Sequence, residues 1–145
     1  MPPLHFHQED VDFRLPDEKQ TSDWITRVVA HEGYTPGELN FIFCSDNHLH
    51  TMNVTWLQHD TYTDIITFDQ SEEDHVLEGD IFISIERVQD NANGLSVEFD
   101  TELHRVMIHG VLHLMGYRDK TDREKSLMRK KEEACLSLRP FRNNP

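Results

Sequence analysis

The chain is poor in the residues that would mark several protein classes. It has two cysteines, Cys44 and Cys135, too few and too far apart in sequence to suggest a disulfide framework. Six glycines and six prolines in 145 residues form no rich stretch, which leaves no evident linker and argues against a low-complexity chain. No run approaches the ~18 apolar residues of a membrane span, so no membrane partner is expected. The opening MPPLHFHQEDVDF has neither the basic nor the apolar region of a secretory signal, and a cytoplasmic protein is the expectation. Basic residues are scarce too: 14 Lys+Arg face 27 Asp+Glu, a formal net charge of −13. That argues against a simple electrostatic binder of nucleic acid, which would present a basic face.

The charge is unevenly spread. Residues 118–145 hold nine of the basic side chains, including Arg129, Lys130 and Lys131, against five acidic ones. This tail is either the solvated face of a last helix or a small cationic patch on an acidic body.

Hydrophobic residues make up 37% of the chain and recur in patterned blocks, as expected for one domain over residues 1–145. Leu4 and Phe6 alternate in a short edge strand within Leu4–Phe13. Trp24, Ile25, Val28 and Val29 have the spacing of a buried helix face, opened near Asp17 and stopped at Gly33. Glu38–Cys44 reads as a strand, followed by a helix that Ser45 or Asp46 caps and that carries Leu49, Met52 and Trp56. Asp64–Phe68 and Asp80–Ile85 read as strands around the acidic loop Asp69–Gly79. Helices are expected over Ile85–Ala92, ending at Asn93-Gly94, and from about Glu98 to Met115. Thr121 and Glu124 have the spacing of a capping box, opening a last helix with Leu127, Met128, Cys135 and Leu136 inward. Strands early and helices late predict an α+β fold, a small mixed sheet packed with several helices.

The chemistry concentrates in His109-Gly-Val-Leu-His113-Leu-Met-Gly116-Tyr-Arg-Asp119. Histidines at i and i+4 of a helix leave the same face, about 40° apart and one turn along. Gly116 can reverse the chain and bring Asp119 back as a third ligand. Two nitrogens and one carboxylate oxygen around Zn²⁺ leave a fourth position for water, whose pKa the ion lowers to about 7. Such ligands also accept Fe, Ni or Co. The competing view is a pair of partly desolvated histidines satisfied by a carboxylate or carbonyl.

His104, five residues before His109, should miss this site, and His5, His7, His48 and His50 read as surface histidines. Glu102 lies two turns before His109 on nearly its face. It is either an acceptor for a ligand N–H or simply exposed near the helix start. The spacing matches the metzincin pattern H-E-x-x-H-x-x-G-x-x-H/D, so a metzincin-like metal-binding helix is expected. Gly110, however, stands where a peptidase has its glutamate base. No side chain stands out as a general base.

His109-Gly-Val-Leu-His-Leu-Met-Gly-Tyr117, with Met128 and Glu132/Glu133 downstream, resembles the signature of the YbeY family. Thr63-Asp-Ile-Ile-Thr-Phe68 is similar to that family's T-[DN]-V-L-S-F strand, and Gly79-Asp-Ile-Phe-Ile-Ser84 to its G-D-I-x-I-S strand. The resemblance spans about residues 40–138. It implies an α+β fold and a single-strand-specific, zinc-dependent endoribonuclease of small-subunit ribosomal RNA maturation and ribosome quality control. The implied partners are ribosomal RNA, the small subunit and ribosomal proteins, and not DNA.

Two positions depart from the family. Asp119 takes the place of the usual third histidine, and Leu57 that of an arginine before T-[DN]-V-L-S-F. A carboxylate ligand makes the ion less Lewis acidic, and the cation missing at Leu57 is sought in the 118–131 stretch. Two other readings are carried: a ribosome assembly factor with a structural metal, suited by the acidity to basic ribosomal proteins, and a metzincin-like peptidase.

Overall fold

Alternation in β2 (Thr35–Cys44) sends Leu39, Phe41 and Phe43 to one face of the sheet, each fully buried, and this strand organises the fold. The structure is a computed structural model and describes residues 4–59 and 61–139. The chain runs β1 (Leu4–Glu9), α1 (Glu18–His31), β2, α2 (Asp46–Leu57), β3 (Ile65–Asp69), β4 (Val76–Ser84), α3 (Ile85–Leu95), α4 (Phe99–Leu114) and α5 (Asp122–Leu136). The strand order is β1-β2-β4-β3, with β1, β2 and β4 parallel and β3 antiparallel to β4. This is the expected small mixed sheet with helices.

The larger core joins Leu39, Phe41, Phe43, Ile81 and Ile83 of the sheet to Trp24, Ile25, Val28 and Val29 of α1 and to the apolar side chains of α4. On the other face, α2 covers a smaller core of Cys44, Leu49 and Ile66. The Trp24 indole N–H donates to the Cys135 carbonyl at 2.9 Å, tying α1 to α5. Among the described residues no helix is long and apolar enough to cross a membrane.

Several local signals act as expected. Ser45, rather than Asp46, caps α2 by accepting from the His48 amide at 3.0 Å. Thr121 and Glu124 form the reciprocal capping box of α5.

Other boundaries move. β2 starts at Thr35 and β4 at Val76, so part of the expected acidic loop is strand. Helix α3 passes through Asn93-Gly94 and stops at Ser96, whose φ is +57°. Trp56 is 68% exposed because the small core beneath α2 ends before its last turn. Leu127 is 46% exposed: the buried stripe of α5 is Met128, Glu132 and Cys135, which Leu127 misses by one residue.

Candidate metal centre

Helix α4 is buried along nearly its whole length, and Gly110 allows its approach to the sheet. A Cβ there would lie 2.8 Å from Ile65 Cδ1 and 2.9 Å from Ile81 Cγ2. One residue before and three after, His109 and His113 leave the helix toward its open side. Gly116, at φ +102°, then reverses the chain while the Gly116 amide donates to the His113 carbonyl and the Tyr117 amide to that of Leu112. Asp119 comes back over the two rings.

The ligand atoms converge. His109 Nε2 and His113 Nε2 are 2.9 Å apart, and Asp119 Oδ2 lies 3.3 Å from the first and 3.5 Å from the second. A tetrahedral zinc with ligands at 2.0–2.1 Å has ligand–ligand edges of about 3.3 Å, so the spacing suits such an ion. The other ring nitrogens are already engaged. His109 Nδ1 lies 2.6 Å from Glu132 Oε2, and His113 Nδ1 lies 3.0 Å from the Tyr117 carbonyl oxygen. An acceptor beside each Nδ1 favours the tautomer with its proton there, which turns both Nε2 lone pairs toward Asp119. Two lone pairs and a carboxylate facing one point repel one another unless a cation lies between them. The group His109, His113 and Asp119 can therefore hold a metal ion. Burial and the neighbouring His109 lower the His113 pKa, which keeps the imidazole in the neutral, ligating form.

Behind His109 is a buried ionic cluster. Arg105 of α4 bonds both oxygens of Glu102, at 2.9 and 2.6 Å, and reaches Glu132 Oε1 of α5 at 3.1 Å. The side chains of Glu102 and Glu132 are 2% and 3% exposed. Burial pushes the Glu132 pKa up, but the hydrogen bond to His109 and the Arg105 charge outweigh it and hold the carboxyl below its ordinary value. One arginine and two glutamates leave one negative charge, and Asp119 adds another. A dication would balance both.

Glu102 is thus neither exposed nor bonded to a ligand; it grips Arg105, and Glu132 is the acceptor for the ligand ring. The usable signal is a glutamate inside the buried stripe of α5. Arg105 carries no such mark, since a basic residue three after Glu102 reads as an ordinary helix-surface pair.

His104 does miss the site: it is 5% exposed, stacks edge-on against Trp24 and lies 2.9 Å from Arg139 Nη1. His5 and His7 are exposed, whereas His48 and His50 are partly buried and His50 stacks on Tyr62 at 4.2 Å. Lys131 bonds both oxygens of Glu32, at 3.2 and 3.1 Å, which removes it from the expected cationic patch.

His113 and Asp119 open onto a groove of about 450 Å³, whose lining includes Leu57, His59, Thr61, Thr63, Thr67 and Lys120. Leu57 therefore lines the groove, as does Lys120. A larger groove of about 640 Å³ follows β1 and α1 and includes neither ligand in its lining.

Comparison with known proteins places the chain in a family. The family model described as Endoribonuclease YbeY matches residues 4–138. A protein from Cytophaga hutchinsonii named Endoribonuclease YbeY is 51% identical over 138 residues, covering 95% of this chain and 96% of its own length. One of the same name from Amoebophilus asiaticus is 53% identical, covering 92% and 90%. The solution structure of TM1509 from Thermotoga maritima matches the fold with a TM-score of 0.66 at 26% identity, over 93% of this chain and 87% of that one. The chain belongs to the YbeY family.

Proposed function

We propose that this YbeY-family chain is a zinc-dependent, single-strand-specific endoribonuclease of late small-subunit ribosomal RNA maturation and ribosome quality control. One domain over residues 1–145 carries it, and the cytoplasm is its site of action. His109, His113 and Asp119 hold one Zn²⁺, with other first-row divalent ions as possible occupants. When bound, the ion would polarise a phosphoryl oxygen or activate water.

The observation that carries this reading is the facing of His109 Nε2, His113 Nε2 and Asp119 Oδ2 while both Nδ1 atoms are engaged elsewhere. The chain's own residues do the rest. Glu132 and the Tyr117 carbonyl orient the two rings, and Lys120 offers a donor to phosphate at the groove. The contact between Gly110 and the isoleucines of β3 and β4 supports a nuclease over a peptidase, since no glutamate fits there without moving Ile65 and Ile81.

The net charge of −13 favours a second, compatible role in which the acidic body docks on basic ribosomal proteins as an assembly factor. The test is His113→Ala, which should lose bound metal and RNA cleavage while the protein folds. Full cleavage by metal-free protein would overturn the enzyme; retained ribosome assembly by the variant would favour the second role.

A further inference from the structure

β3 is an edge strand, bonded to β4 on one side only. Its antiparallel register pairs Ile66 with Phe82 and Phe68 with Asp80. The Ser84 amide donates to the Asp64 carbonyl and the Gln70 amide to that of Glu78, so even-numbered residues make the ladder bonds. Odd-numbered residues therefore turn their main-chain groups to the free edge. The Ile65 carbonyl there accepts from the Thr63 hydroxyl at 3.3 Å. Thr67 presents an amide and a carbonyl with no such partner among the described residues. That edge lines the same groove as His113 and Asp119, and the groove's lining includes Ile65, Ile66 and Thr67.

Lys120 is the one lysine or arginine among the groove's described lining residues, and Leu57 is apolar. On a chain of net charge −13, attraction for phosphate alone is a poor source of affinity. A donor and acceptor side by side on a strand edge instead match the paired donor and acceptor of a base's hydrogen-bonding edge, which an unpaired nucleotide exposes and a duplex hides. Polypeptide could also add to this edge, but a β-ladder needs the Ile65 carbonyl as well, and there it would compete with the Thr63 hydroxyl.

We propose that the Thr67 amide and carbonyl, on the free edge of β3, hydrogen-bond the base edge of an unpaired nucleotide seated beside the His109–His113–Asp119 centre. This rests on the endoribonuclease reading and adds to it the reason for single-strand selectivity: the base must be free to meet the strand.

The test is binding of a short fluorescein-labelled oligoribonucleotide by anisotropy, read before cleavage proceeds, with an abasic strand of equal length as control. Thr67→Pro deletes the outward amide and no bond to β4, as an edge strand tolerates. It should weaken binding of the base-bearing strand about tenfold, the worth of about 1.4 kcal/mol. The abasic strand should bind both proteins equally weakly. Because proline can also disturb folding, the second measurement uses wild-type protein: hydrogen exchange of the Thr67 amide should slow with the base-bearing strand and not with the abasic one. Equal binding by folded Thr67→Pro, or unchanged Thr67 exchange, overturns the proposal while wild-type cleavage leaves the nuclease standing. Wild-type protein that neither binds nor cleaves RNA overturns both. Protection of Thr67 by an extended peptide but not by the strand assigns the edge to a protein partner and overturns it too.

Discussion

Glu132 Oε2 of α5 lies 2.6 Å from His109 Nδ1 of α4, so the helix that follows the candidate ligands also orients one of them. The carboxylate accepts a hydrogen bond from the imidazole N–H, fixes the ring and makes its other nitrogen a stronger donor to a metal. Glu132→Ala should therefore lower metal affinity about 10- to 100-fold. Glu132→Gln, which keeps an acceptor without the charge, should fall between. Calorimetric titration with zinc checks both; equal affinity in all three proteins would sink this role.

Arg105 is the only cation bonded to both Glu102 and Glu132 among the described residues. Arg105→Ala strands two carboxylates that are nearly solvent-free, and breaking such a buried pair costs about 3–5 kcal/mol. Urea unfolding with metal removed reads this loss directly. A cost under about 1 kcal/mol, typical of exposed pairs, would mean the cluster is solvated in solution.

The pH response has a separable part. Burial first, and then the Arg139 charge, lower the His104 pKa from its ordinary 6.5 to about 4. The unfolded chain then binds more protons between these values. Stability is fully present above pH 6.5 and falls as pH drops toward 4, by about 3 kcal/mol from this residue. The depressed carboxyls of Glu32 and Glu132 add their losses only below their ordinary value of 4.5. His104→Gln should flatten the upper part of the decline and leave the lower part. An unchanged slope between pH 6.5 and 4.5 would contradict this assignment.

At Gly110 the expected outcome is steric. Gly110→Ala should destabilise the fold by about 1–3 kcal/mol, the usual cost of overpacking, because Ile65 and Ile81 must move. Gly110→Glu should create no activity on casein while losing still more stability. Thermal melting and a casein assay together decide it.

Local spacing alone was enough to bring the candidate ligands together. His109, His113, Gly116 and Asp119 lie within one helical turn and one reversal, and geometry at that range follows from helix pitch and a left-handed glycine. The same holds for the Ser45 cap, the Thr121–Glu124 box and the alternation of β2, each of which acts between near neighbours. Trp56 and Leu127 are exposed where their spacing predicts burial, because an apolar side chain is buried only where another element covers it. What surrounds the candidate ligands comes from packing between distant elements. Glu132 reaches His109 across 23 residues because α5 docks on α4, and Glu102 turns inward because Arg105 meets it in that same interface. Thr67 faces the ligands' groove because β3 is the last strand of its sheet. Which helices pack together and which strand is left at an edge are settled by burial of the whole core, and no local spacing encodes them.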